Sequence, residues 1–138
     1  MKIIAVIDGQ GGGIGSYIIK ALRENFGENI EIVALGTNST ATASMLKARA
    51  NRGATGENAI IWSVPKVDII TGSLSIVLAN SMLGELTPAM SAAIASSGAQ
   101  KLLLPLNQEQ VEIINVGREP LPHLIEKLVE RIKEETDV

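Results

Sequence analysis

Ile3-Ile4-Ala5-Val6-Ile7-Asp8-Gly9-Gln10-Gly11-Gly12-Gly13-Ile14-Gly15-Ser16 is the stretch whose reading decides the fold. An apolar run ends in a glycine cluster, and a helical pattern begins directly after it. Glycine lets a backbone turn tightly with positive φ and lets a ligand approach where no Cβ stands in the way. The helix that follows aims unpaired N–H groups and a partial positive charge back at the same spot. The expectation is a strand, a phosphate-type turn and a helix.

Working outward, Lys2–Asp8 is continuously apolar, the pattern of a strand buried on both faces of a parallel sheet. Ile14, Tyr17, Ile18, Ala21, Leu22 and Phe26 recur at helical spacing and predict a helix ending near Gly27. Ile30–Leu35 reads as a second buried strand, closing at Gly36-Thr37-Asn38. Ser39 or Thr40 is the expected N-cap of a short helix running to about Ala50. Gly53-Ala54-Thr55-Gly56 reads as a turn, Asn58–Trp62 as a short strand, and Val67–Thr71 as a buried strand stopping at Gly72-Ser73.

Ser75–Leu83 is apolar almost all round and reads as a helix, with Asn80 and Ser81 interrupting it. Thr87-Pro88 is a cap followed by a first-turn proline, and Gly98 supplies the stop. Lys101–Leu104 is the next strand. Val111–Val116 alternates in part and is expected at the sheet edge near the C-terminus. A last helix begins around Glu119-Pro120, with Leu121, Leu124, Ile125, Leu128 and Ile132 on one face. Strands alternating with helices imply an α/β fold: a single doubly wound, mainly parallel, Rossmann-like sheet formed by residues 1–138 as one domain. The link from Trp62 to Val67 is too short for a helix, so the strand order around Asn58–Thr71 stays open.

Composition bounds the function. The chain has 138 residues, a net charge of −3 and no cysteine, so it has neither disulfides nor thiolate metal sites. No secretory leader pattern precedes Lys2–Asp8, and no run approaches the roughly 20 apolar residues that span a bilayer. A cytoplasmic location away from membranes is expected. An acidic pI near 5.2, with one Phe, one Trp and one Tyr, argues against nucleic-acid binding, which needs a basic face and stacking aromatics. A mean hydropathy of +0.24 with 46% hydrophobic residues suits a protein that covers part of its surface with another copy. The segment from Ser75 to Leu86 is the expected homo-oligomer contact: six apolar side chains spread round a helix cannot all reach one sheet.

Ligands of open α/β sheets bind outside the carboxyl ends of the strands. Those ends are Asp8-Gly9, Gly36-Thr37-Asn38, Thr71-Gly72-Ser73 and Pro105-Leu106-Asn107, nearly all small or hydrogen-bonding residues. The candidate cofactor-binding residues are therefore Asp8, Gly9, Gln10, Gly11, Gly12, Gly13, Ile14, Gly15, Ser16, Gly36, Thr37, Asn38, Thr71, Gly72, Ser73 and Asn107. The same residue types also serve ordinary turns. The ligand they suit is a small phosphate-containing molecule, NAD(P) or another nucleotide. The end of the second strand lacks the acidic residue that grips an NAD ribose, carrying Gly36-Thr37-Asn38 instead.

Asp8 would repel a bare pyrophosphate. It would instead hold a metal, accept from a ligand hydroxyl, or order the glycine loop through the loop's own N–H groups, the last being the commonest role. No Lys precedes Ser16, which excludes a Walker loop. His123 has no second base or nucleophile spaced with it and reads as a surface residue. Glu85, beside Gly84, reads as a solvated turn residue within reach of a pocket. No catalytic residue or metal set is identified. The alternative to ligand binding is a non-catalytic, homo-oligomeric interaction or regulatory module with a degenerate site.

Two resemblances add to this. Gly9-Gln10-Gly11-Gly12-Gly13-Ile14-Gly15 resembles the G-x-x-x-G-I-G turn of short-chain dehydrogenases, but Tyr17 is followed four residues later by Ala21 rather than Lys. Over most of its length the chain resembles a bacterial family, a domain of unknown function with a Rossmann-like fold. That resemblance rests on Ile7–Gly15, Ala34–Asn38, Gly53–Asn58, Ala79–Pro88 and Leu104–Asn107. It implies the fold and the general position of a site, and no catalytic residue.

Overall fold

β1 (Lys2–Asp8) lies in the middle of five parallel strands, and every other element is placed by its relation to it. The computed structural model describes residues 1–136. Its strand order is β3-β2-β1-β4-β5, with β2 at Ile30–Gly36, β3 at Arg52–Thr55, β4 at Ile69–Ser73 and β5 at Gln100–Leu104. All pairings are parallel, so the sheet is wholly rather than mainly parallel. This is the order of the first five strands of a dinucleotide-binding sheet. The Rossmann-like expectation holds.

Side chains alternate across a strand, so β1 feeds two cores at once. Ile4 and Val6 face α1 (Gly13–Phe26) and α5 (Leu121–Thr136), meeting Ile18, Ile19, Leu22, Leu128 and Ile132. Ala5 and Ile7 face the other side, where α3 (Glu57–Ser63) contributes Ile60 and α4 (Pro88–Ser96) contributes Met90 and Ile94. α2 (Ser39–Lys47) joins the first side through Met45. Each isoleucine fully buried there stabilises the fold by about 1.5–3 kcal/mol relative to exposure.

Several local expectations are corrected. The third strand is Arg52–Thr55, where a turn was expected, and Asn58–Trp62 lies in helix α3. As an edge strand with three of its four residues exposed, β3 carries no apolar alternation to read, and Gly56 at φ 100° breaks the chain between it and α3. This also restores a helix to the crossover and settles the strand order. The N-cap of α2 is Asn38, not Ser39 or Thr40: its side chain accepts from the Ala41 N–H at 2.9 Å, and the helix stops at Lys47.

Ser75–Leu83 is not a helix. Leu74–Val77 forms one 3-10 turn and Leu78–Leu86 a set of tight turns. Asn80, Met82 and Leu83 all adopt left-handed backbone (φ 67°, 58° and 57°) before Gly84 at φ 89°. Ile76, Met82 and Leu86 still reach the core, because the turns fold each inward in place of a helical stripe. Val111–Val116 is not a strand either. It is irregular and exposed, and the edge near the C-terminus is β5 itself.

Candidate functional site

The strand order reverses between β1 and β4, the point in such sheets where loops part and leave a crevice. A concavity of about 290 Å³ lies there, lined by residues that include Asp8, Gln10, Ile14, Ser73, Met82 and Asn107. A larger groove of about 490 Å³ runs beside β3 at Trp62, but it is mostly apolar and lies away from the C-terminal ends of β1 and β4. Topology, not size, marks the smaller concavity as the candidate.

Asp8 does the loop-ordering work. Its Oδ1 accepts from the Gly9 N–H at 2.8 Å and its Oδ2 from the Gly15 N–H at 2.7 Å. Burial raises its carboxyl above the usual range, and the N–H groups of Gly15, Gly9 and Ile14 pull it back, while the nearby Glu85 charge adds to the rise. The protein's own carboxylate thus answers part of the positive end of α1.

The glycines divide into two groups. A Cβ on Gly9 would lie 2.5 Å from Thr37 Oγ1, one on Gly15 2.6 Å from Met45 Sδ, and one on Gly36 2.2 Å from Thr42 Oγ1. On Gly12, at φ 73°, it would meet the backbone of Ala41 at 2.9 Å. Gly72 is likewise closed, by the Ile7 carbonyl at 2.6 Å. Backbone atoms close Gly12, Gly36 and Gly72, whereas side-chain atoms crowd Gly9 and Gly15 and would have to shift to admit a Cβ. Around Gly11 and Gly13 there is nothing within 4 Å, and among the described residues neither N–H has a protein acceptor. Of the loop glycines, only those two face open space.

The other expected residues separate in the same way. The Ser16 hydroxyl donates to the Gly12 carbonyl within its own helix at 2.7 Å. Thr71 is fully buried, lines no part of the concavity, and its hydroxyl has no partner among the described residues. Ser73 and Asn107 do line the concavity; Asn107 is also tied to its own loop through Val111 and Glu109. The Ser81 hydroxyl donates to the Ser75 carbonyl at 2.6 Å, which satisfies it inside its own turn. His123 is a surface residue near Glu119.

Glu85, read from sequence as a solvated turn residue, does not line that concavity but joins the glycine loop to the tip of β2. Its Oε1 accepts from the Gln10 N–H at 2.8 Å, the Thr37 hydroxyl at 2.7 Å and the Asn38 amide at 2.7 Å. Asn38 also donates to the Gln10 carbonyl at 3.0 Å. The Gln10 N–H, helped by Thr37 and Asn38 against partial burial, lowers the Glu85 pKa below the usual range. Gly9 makes the approach possible, since its Cβ would sit 2.6 Å from Met82 Sδ and 3.0 Å from Glu85 Oε1. Reading Ser75–Leu83 as a helix hid this: a helix would carry Glu85 away, whereas the tight turns bring it back over the strand ends.

Comparison with known proteins agrees with the fold. The structure is similar to that of a dodecameric FMN-dependent Ubix-like decarboxylase from Escherichia coli O157:H7, with a TM-score of 0.53 and 15% identity, covering 100% of this chain and 96% of the other. That likeness shows a shared α/β architecture. No helix among the described residues is long and apolar enough to cross a membrane. No curated protein sequence matches the chain. The model of the family described as "Domain of unknown function (DUF3842)" matches residues 3–137, and the chain belongs to that family.

Proposed function

We propose that this protein binds a nucleotide or dinucleotide across the C-terminal ends of β1, β2 and β4, with phosphate oxygens on the N–H groups of Gly11 and Gly13. The observation that carries the reading is the division of the glycines. Packing explains Gly9, Gly12 and Gly15, yet Gly11 and Gly13 remain open with unpaired N–H groups at the start of α1. Backbone N–H groups at a helix start suit an anion. The concavity reached through their chain neighbours Gln10 and Ile14 carries Ser73 and Asn107 for hydrogen bonding and Ile14 and Met82 for an apolar ring face, while Gly13 itself lines a separate groove with Ser16 and Lys20. The FMN dependence of the similar Ubix-like decarboxylase supports counting flavins among the ligands to test.

Thermal-shift measurements with NAD(H), NADP(H), FMN, FAD, ATP, S-adenosylmethionine and coenzyme A test this. A ligand at 100 times its Kd stabilises the native state by about 2.7 kcal/mol. That corresponds to a Tm rise on the order of 10 °C for a chain of this size. Gly13→Val is expected to fold normally, because the added side chain meets only open space, and to lose the shift by filling that space. Indifference to every compound at millimolar concentration would sink the reading.

A second reading concerns assembly. We propose a homo-oligomer, supported by the dodecameric state of the similar decarboxylase and by Leu83, which is 97% exposed on a left-handed turn. Within the segment from Ser75 to Leu86, Leu83 is the large apolar side chain presented fully to solvent. Val77 and Leu78 are partly covered. Sedimentation at micromolar concentration is expected to give a mass above 14.6 kDa, and Leu83→Glu to shift it towards the monomer. A wild-type monomer removes the proposal.

A further inference from the structure

We infer that Glu85 is the ribose-binding carboxylate of this site and restricts its ligands to nucleotides whose ribose keeps free 2′ and 3′ hydroxyls. The inference rests on the nucleotide-binding reading above. In dinucleotide-binding sheets an acidic residue at the end of the second strand accepts from the ribose 2′-hydroxyl. Here β2 ends in Gly36-Thr37-Asn38, with no acid of its own. The structure supplies one from a distant loop. Thr37 and Asn38, at the tip of β2, and the Gln10 N–H in the glycine loop all donate to Glu85 Oε1. The carboxylate therefore stands between the glycine loop and the tip of β2, although it lies 48 residues beyond Thr37 in sequence.

The hydrogen-bond inventory says what it can still do. A carboxylate has about four acceptor positions and no donor. Three protein donors occupy Oε1, and among the described residues none reaches Oε2. Oε2 on a half-exposed side chain is thus free to accept, and hydroxyls are the ligand groups that donate. Sites that take a 2′-phosphate use an arginine instead. Glu85 accepts only from uncharged donors, its charge is felt at Asp8, and the neighbouring concavity, lined by Asp8 and Gln10 though not by Glu85 itself, carries no Lys or Arg. A 2′-phosphate brought to this carboxylate would meet uncompensated negative charge.

Local backbone conformation delivers the carboxylate. Asn80, Met82 and Leu83 are non-glycine residues in the left-handed region, a conformation that costs an L residue energy. The three bonds to Oε1, together with burial of Met82 and Leu86, hold the turn in place against that cost.

Equilibrium titration of the wild type with NAD, NADP, ADP, 2′-deoxy-ADP and FMN tests the inference. NAD is expected to bind at least ten-fold more tightly than NADP, and ADP several-fold more tightly than 2′-deoxy-ADP. In Glu85→Gln, which keeps an acceptor for the three donors, the NAD to NADP ratio is expected to fall to within about three-fold. The ADP comparison uses wild type alone, so it stands whether or not the variant folds. Equal or tighter binding of NADP overturns the inference and leaves the nucleotide site standing. So does binding of FMN without any of the ribose nucleotides. If none of the five binds, the nucleotide reading fails and this inference falls with it.

Discussion

Gly12→Ala is expected to lower the free energy of unfolding by about 2–5 kcal/mol, the sum of left-handed backbone strain and a contact that cannot relax. Gly12 caps α1 at φ 73°. Its Cβ would stand 2.9 Å from both Cα and O of Ala41, the residue whose N–H closes the Asn38 cap of α2. Those are backbone atoms, so no rotamer change relieves the clash, and α1 would have to move away from α2. Gly13→Ala is the matched control. It has ordinary backbone and open space, and should leave stability unchanged or raise it by up to about 1 kcal/mol. Chemical denaturation of the pair reads the difference as a change in midpoint. Equal midpoints would mean that α1 and α2 are not in the contact described.

Arg23→Ala is expected to cost about 3–5 kcal/mol, the scale of an interaction that leaves buried polar partners unmet. Arg23 is only 6% exposed, an unusual place for a guanidinium. Its Nε donates to the Arg49 carbonyl at 2.7 Å, and its Nη1 to the carbonyls of Gly27 at 2.8 Å and Ile30 at 3.3 Å. Its Nη2 donates to Asn51 Oδ1, which also accepts from the Ile32 N–H at 2.7 Å. One side chain therefore ties the negative end of α1 to the start of β2 and to the turn before β3. Arg23→Lys should recover little, because an ammonium cannot present the planar fork that reaches four acceptors. Unfolding by denaturant decides this as well. A loss below about 1 kcal/mol would mean that water replaces these bonds.

Both residues show how much of the molecule can be read from its sequence. β1, α1 and β2 were legible because a central strand is apolar on both faces and the first helix repeats its apolar residues every three or four positions. The glycine turn was legible for the same reason: the change of period brackets it. β3 was not. An edge strand touches one neighbour, leaves its outer side to water and needs no alternation, so Arg52–Thr55 looks like a turn.

Ser75–Leu83 does not form the expected helix because apolar content shows that residues are buried and not how the chain takes them there. Three left-handed residues in four positions do what a helix would have done for burial, and a different thing for Glu85. Two matters lay wholly with tertiary structure. Which glycines face open space depends on Thr37, Thr42, Met45 and Ala41, which arrive from other elements. Which carboxylate stands at the tip of β2 depends on a loop far along the chain. The sequence by itself determined the two strands β1 and β2 and the crossover between them, since periodicity and glycine placement are local properties. Only the tertiary structure decided which groups meet at the ends of those strands, because contact between distant segments leaves no periodic trace in either one.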